Sequence, residues 1–506
     1  MKSIFKAVAV VTIFSVITRT LGFFFRIFLS RKLGAEGIGL YQMASSILGI
    51  FMTLVASGIP LSTAKFVSKY ESQNDLVKRN KIVTSSLIVA LSVAIFSSLF
   101  IIVLKSVWKI VLTDSRAVEI LIILVPSIIF SSIYAVFRGA LWGKSDYFSC
   151  GLTELLEQII RFALTFIMLL SVSDFFIATK YSAIAFNITC LISALITLFI
   201  YLKKGKLTFK TGEYKNIIKS ASPITGVRLA SSLVQPLTTL IIPTLLIVSG
   251  YTKSEAVSSF GVIMGMTFPM LFVPMAIVGS ISMVLIPSIS SMMSKNDYNS
   301  ISKNITDSIN VSTFISMLFI PLYLSVGNII GIVLYDNAMS GILLQLAAVC
   351  VFPITMCNLT GSILNALNLE IKSFINYIIG SISLFVSLIV LTPIMHINSI
   401  IVSFFISMTI ISLLNINKIK KAVPNLNINL ISTSFKYSLL ILPSSLLGHF
   451  ISNICLHIFS NFVSALIGGG LAIISVVILA KIFNLFDFKD LINLLKRKKK
   501  SKTQSP

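Results

Sequence analysis

The chain has 506 residues, of which 56% are apolar and only 11% charged, with a mean hydropathy of +0.97. These values exclude a soluble globular domain and define a polytopic membrane protein. The basic excess, 41 Lys plus Arg against 17 Asp plus Glu, falls mostly in short segments between apolar stretches, so it reads as a positive-inside bias and implies no nucleic-acid partner.

Apolar windows of about 20 residues predict an all-α protein of about 14 spanning helices. They lie near 8–29, 38–62, 82–104, 119–141, 152–171, 181–202, 223–249, 257–287, 309–334, 341–366, 374–395, 397–417, 436–459 and 461–483. An even number with the N-terminus inside leaves both termini in the cytoplasm of a bacterial cell. The densest basic clusters, Lys65 to Lys81, Lys203 to Lys219, Lys418 to Lys436 and the tail, then all fall inside. Lys2 and Lys6 precede an apolar run as in a signal peptide, but Arg19 interrupts that run and no small-x-small cleavage site follows, so it is read as a retained first helix.

Span one carries Arg19 and Arg26, two helical turns apart and therefore on one face. Arg138, Arg161 and Arg228 interrupt spans four, five and seven in the same way. A cation at the centre of a spanning helix costs roughly 2.5–3.5 kcal/mol unless it meets water or a counter-ion, so these five arginines predict a wet, cationic cavity suited to an anion. The planar guanidinium fork matches phosphate by bidentate, charge-assisted hydrogen bonds. Arg26 also has the alternative of snorkelling to the outer interface, and Arg138 that of reaching the inner one.

Glu36 precedes span two, and Lys65 at the inner end of that span is either a portal residue or simply an inside-positive charge. In span five Glu154, Glu157 and Arg161 share a face. Glu157 to Arg161 is the favourable order for a helical ion pair, and the alternative is a proton or cation acceptor that switches between two states. These residues, with Glu36 and Lys65, are the candidates for gating or coupling.

The basic loop Lys203 to Lys219 divides the chain into an N-lobe of helices 1–6 (1–204) and a C-lobe of helices 7–12 (205–424), followed by helices 13–14 (425–484) and an amphipathic basic tail (485–506). A weak repeat crosses that boundary. Ala140, Leu141 and Phe148 recur as Ala366, Leu367 and Phe374, Arg19 has a counterpart in Arg228, and Glu36 has one in Glu255. Two pseudosymmetric six-helix lobes follow. Prolines 236, 243, 269, 274 and 287 in spans seven and eight permit bends, although proline is common in spanning helices generally.

Asn358, Thr360, Asn365 and Asn368 of span ten would bond sugar hydroxyls or join helices. No catalytic pattern is present: the stretch Gly139 to Ser145 lacks one residue of a phosphate-binding loop, and His396, His449 and His457 are isolated. The five cysteines show no ligand spacing. Neither an enzyme nor a metal or other cofactor is expected. The tail, from Phe483 to the run Lys496 to Lys500, reads as an interfacial anchor on anionic lipid.

Four segments carry a family resemblance: Thr18-Arg19-Thr-Leu-Gly-Phe-Phe-Phe-Arg26, Gly34-Ala-Glu36-Gly-Ile-Gly-Leu-Tyr41-Gln42, Gly58-Ile-Pro60-Leu-Ser-Thr-Ala-Lys65, and Arg138-Gly139 through Gly143. They resemble the multidrug, oligosaccharidyl-lipid and polysaccharide exporter superfamily, within it the branch of stage V sporulation protein B and the lipid II flippases. The resemblance implies alternating access of an undecaprenyl-pyrophosphate-linked peptidoglycan or polysaccharide precursor, in cell-wall or spore-cortex synthesis. It also implies Arg19, Arg26, Arg228 and Arg138 in a central cavity, and a groove for the polyprenyl tail at spans thirteen and fourteen. The acid that lipid II flippases carry near the start of span two falls several residues earlier here, as Glu36. The driving force would be the membrane potential or an ion gradient, and membrane lipids and wall-synthesis enzymes are the further partners. An antiporter of organic cations would need buried carboxylates where this chain has arginines, and a non-transporting scaffold would not need the arginines at all.

Overall fold

The structure, a computed structural model, describes residues 2–208, 212–293, 296–424, 426, 430–483 and 485. Among them every regular element is helical and none is a strand. The chain forms two compact units, Met1–Gly265 and Met266–Pro506. The first unit holds α1 (Lys2–Ala56), α2 (Gly58–Ser72), α3 (Leu76–Val103), α4 (Lys105–Val111), α5 (Ser115–Leu124), α6 (Pro126–Gly143), α7 (Tyr147–Met168), α8 (Phe175–Lys204), α9 (Tyr214–Ser232), α10 (Val234–Val248) and α11 (Lys253–Gly261). The second holds α12 (Phe268–Met293), α13 (Tyr298–Tyr335), α14 (Ala338–Ala347), α15 (Val351–Ala366), α16 (Glu370–Met395), α17 (Asn398–Ala422), α18 (Leu430–Leu456) and α19 (Asn461–Ile482). Among the described residues 11 helices are long and apolar enough to cross a membrane, or up to 12 if the bent pair α5 and α6 is one span. The protein is a multi-pass membrane protein.

That count differs from fourteen for two physical reasons. Ile13–Ser72 is one nearly continuous helical stretch of 60 residues, counted once although it is long enough for the two expected crossings. The expected loop between them is absent: helix continues through the segment, broken only at Gly34, whose φ of 66° and ψ of −178° suit glycine alone. The other segment is α7, whose Glu154, Glu157 and Arg161 lower its apolar character.

Acidic residues shape the helix starts. Asp75, Asp114, Asp146, Asp174 and Asp297 each stand at an N-cap and accept a backbone N–H from the first turn, at 2.7–3.2 Å. Much of the scarce negative charge thus lies at helix termini.

The unit boundary at Gly265 lies further along than the expected lobe boundary at residue 204, because α9 to α11 pack with α1, α2 and α3. Span seven is two helices, α9 and α10, meeting at Leu233, and span eight is interrupted by a π-helical turn, Val262–Thr267. Pro223 and Pro243 lie inside α9 and α10, where each removes a backbone donor. The side chain of Pro287 and the tail beyond Leu485 lie outside the described residues. Close helix approach in the first unit depends on glycine: a methyl group on Gly139 of α6 would lie 2.5 Å from the Pro60 carbonyl oxygen of α2, and one on Gly143 would lie 2.6 Å from that of Ala64.

In the second unit Val278, Ile305, Leu359, Ile363 and Ile419 belong to one apolar core. Asn376 Nδ2 donates to Asn415 Oδ1 at 2.9 Å, and Asn415 Nδ2 to the Thr360 hydroxyl at 3.2 Å, which links α15, α16 and α17. Thr360 is therefore interhelical glue, whereas Asn365 and Asn368 are exposed. The helices α18 and α19 pack on α13, where His449 Nδ1 lies 3.2 Å from the Ser325 carbonyl oxygen.

Candidate functional site

The arginines of the first unit sort by their partners. On α1 an aromatic edge faces α7: Phe14 meets Phe148 at 5.5 Å, Phe25 meets Phe162 at 6.0 Å, and Phe28 meets Phe162 at 5.5 Å and Phe166 at 5.6 Å. Arg19 and Arg26 flank that edge, and both are exposed. Arg228, on α9, is also exposed. Its helix is seated against the α1–α2 junction, where the Ser57 hydroxyl donates to Thr225 Oγ1 at 3.5 Å. Among the described residues no carboxylate forms an ion pair with Arg19 or Arg228.

Arg138 and Arg161 are different. Arg138 on α6 donates to Glu154 Oε2 on α7 at 2.6 Å, and its guanidinium lies 6.0 Å from the Tyr134 ring centroid. Arg161 pairs with Glu157 one turn back and stands 4.9 Å from the Phe186 ring centroid on α8. Arg161 and Arg26 both lie within electrostatic reach of Tyr41, which α1 supplies beyond its break at Gly34. The pairs are incomplete in one respect. The Nε groups of Arg138 and Arg161, the Tyr134 hydroxyl and the Gln158 Oε1 are all buried with no hydrogen-bond partner among the described residues. Four such atoms on α6 and α7 leave hydrogen-bonding capacity that the protein's own groups do not use.

Glu36, two residues past the break, accepts from Arg116 at 2.5 Å, and Arg116 also donates to Asp114 at 2.7 Å. Glu36 further lines a cleft of about 510 Å³ with Gly250, Tyr251, Ser254, Glu255, Ser258 and Ser259. The two acids matched across the internal repeat, Glu36 and Glu255, thus line one cleft. Arg116 escaped sequence reading. The available signal was the N-cap pattern Asp114-Ser115-Arg116, which orients a cation at a helix start. Lys65 is exposed on α2 and has no ion pair among the described residues. Among the described residues no group of His, Cys, Asp or Glu could hold a metal ion.

A multi-pass helical protein with arginine–glutamate pairs and orphaned polar atoms among its helices has the construction of a membrane transporter. The model of the polysaccharide biosynthesis protein family matches residues 4–293, more than half of the sequence, and the chain belongs to that family. It is 24% identical to stage V sporulation protein B of Bacillus subtilis over 384 residues, covering 72% of this chain and 73% of the relative. It is 22% identical to the lipid II flippase MurJ of the same organism over 352 residues, covering 64% and 63%. Among solved structures, a lipid II flippase MurJ in an inward-closed conformation superposes with a TM-score of 0.71 at 18% identity, covering 95% of this chain and 99% of that one. An inward-facing multidrug transporter of the MOP superfamily superposes with a TM-score of 0.67 at 13% identity, covering 81% and 95%. The fold is that of the multidrug, oligosaccharidyl-lipid and polysaccharide exporters.

Proposed function

We propose that the protein is a flippase that carries an undecaprenyl-pyrophosphate-linked peptidoglycan or polysaccharide precursor outward across the bacterial cell membrane, in cell-wall or spore-cortex synthesis. The observation that carries this reading is the division of the arginines. Arg19 and Arg228 lack an ion-pair partner among the described residues, and Arg138 and Arg161 keep a buried, unsatisfied Nε–H beyond their carboxylate. Guanidinium donors suit phosphoryl oxygens by charge and by their planar fork, and they repel a cation substrate. The names of the relatives, a sporulation protein and a lipid II flippase, agree with a substrate of this class.

With both termini cytoplasmic, two net negative charges moving outward through an inside-negative potential of 100 mV release about 4.6 kcal/mol, so the membrane potential suffices and no cofactor is required. The test is reconstitution in liposomes with labelled lipid-linked precursors of several kinds. Transfer of at least one pyrophosphate-linked saccharide, lost with Arg19→Ala or Arg228→Ala, supports the reading. Cationic dye efflux that depends on carboxylates instead would assign an antiporter. A growth defect produced by deleting the tail but not by the arginine substitutions would assign a scaffold for wall-synthesis enzymes.

A further inference from the structure

A second charged constellation surrounds Lys144, six residues beyond Arg138 at the end of α6, and none of its residues is among those of the proposed transport site. The ends of α2 and α6, the starts of α3 and α7, and the end of α8 converge where the basic segments assign the cytoplasmic side. Arg79 of α3, only 8% exposed, pairs with Glu71 at 2.9 Å. Lys204, the last residue of α8, donates to Asp146 at 2.5 Å and to the Ser149 hydroxyl at 3.1 Å. Those two carboxylates are thereby matched.

Lys144, between α6 and α7, is left without an acid: among the described residues its ammonium donates only to the Lys204 carbonyl oxygen. It stands 5.5 Å from the ring centroid of Tyr201, which is fully buried and whose hydroxyl has no hydrogen-bond partner among the described residues. Burial first, and then the charge of Arg79, hold the Lys144 ammonium below the ordinary lysine range; Lys204 adds to this, and the carboxylates of Glu71 and Asp146 oppose it. Three cations, Arg79, Lys144 and Lys204, thus meet two carboxylates, and the positive charge left over is one that an anion relieves.

The depth of the cluster selects the anion. Trp142, 41% exposed, stands edge-on to Tyr147 with ring centroids 5.3 Å apart, and Lys203 lies 4.4 Å from the Phe199 ring centroid. An exposed Trp against a half-buried Tyr, with lysines nearby, is the signature of the headgroup level of a bilayer. The anion at that level of a cytoplasmic leaflet is the phosphate of an acidic phospholipid.

We infer that Lys144, Lys204 and the Trp142–Tyr147 pair form a binding site for the phosphate headgroup of an anionic phospholipid in the inner leaflet. It is independent of the transported substrate and separate from the arginines of the transport site.

The sequence supplies a reporter, since it contains only two tryptophans, Trp108 and Trp142. Trp108, on α4, lies edge-on to Phe51 of α1, and Trp108→Phe leaves Trp142 as the sole tryptophan. That variant is reconstituted in phosphatidylcholine vesicles containing increasing fractions of brominated phosphatidylglycerol, or of brominated phosphatidylcholine, with no lipid-linked saccharide present. The expected result is that the brominated anionic lipid quenches Trp142 with several-fold higher relative affinity. Lys144→Gln should reduce the preference about fivefold, a charge at the membrane surface contributing about 1 kcal/mol. Lys144→Arg should retain it, and Lys204→Gln, a separate variant at an exposed residue, should weaken it by a similar factor. Equal quenching by both lipids, or a preference unchanged in Lys144→Gln and Lys204→Gln, overturns the inference. So does loss of the preference on adding one or two equivalents of undecaprenyl pyrophosphate, which would make the cluster a substrate-loading site. None of these outcomes depends on transport, so the flippase reading fails or stands separately.

Discussion

The two units handle polarity within the membrane in opposite ways. The first holds every arginine of the described residues, with ion pairs on α6 and α7 and orphaned donors beside them. The second ties its helices with neutral groups, the chain Asn376 to Asn415 to Thr360, and carries no arginine before the tail. A buried amide ladder is satisfied within the protein and needs no ligand. A guanidinium carries a charge as well, and within a span it calls for water or an anion, whether a carboxylate of the protein or a phosphate of a substrate. The contrast puts the arginines of the described residues in the first unit and leaves the second with neutral ties between its helices.

The most severe way to break this contrast is to remove a cation that has no carboxylate. Arg19→Ala or Arg228→Ala should lower transport about 10- to 100-fold at unchanged membrane abundance, since a hydrogen bond to a charged group contributes about 1.5–3 kcal/mol. Liposome transfer and complementation of a flippase-deficient strain measure it, and normal growth of both variants would remove the transport assignment. Removing a paired cation should act on stability first. Arg161→Gln leaves Glu157 unmatched in a site where both side chains are 21% exposed, a cost of about 3 kcal/mol, so thermal stability in detergent should drop. Adding Glu157→Gln to that variant should restore most of the loss. A double variant no more stable than the single would show that the pair does not neutralise itself.

Gly34→Ala sharpens the comparison from another side, because it strains the break that delivers Tyr41 and Glu36. A cost of about 1–3 kcal/mol follows from placing a side chain at that backbone conformation, read as a lower melting temperature. The smallest effect belongs to the second unit. A double-mutant cycle of Asn376→Leu and Asn415→Leu should give a coupling of about 0.6 kcal/mol with transport per molecule unchanged, and a transport defect at full abundance would make the amide ladder part of the binding surface.

Much of this was legible in the sequence, for reasons that are local. A window of about 20 apolar residues identifies a span whatever surrounds it, and an arginine inside that window is costly in any fold. The Glu157–Arg161 pair was legible too, because both residues sit on one helix and their spacing alone brings them together. The Asp residues at helix starts and the glycine of α1 were visible as residues but not as devices. Capping and a left-handed break depend on where neighbouring helices force the chain to turn.

What tertiary structure alone decided is which charges are matched. The pairing of Arg138 with Glu154 joins two helices, that of Arg116 with Glu36 joins residues eighty positions apart, and the solitary Lys144 results from Arg79 and Lys204 taking the nearby acids. The sequence determined that arginines interrupt this chain's apolar stretches, because hydropathy is a property of consecutive residues. A contact ion pair needs its partners within about 4 Å and joins residues distant in the chain, so only the packing of the helices could assign each cation its partner or leave it for a ligand.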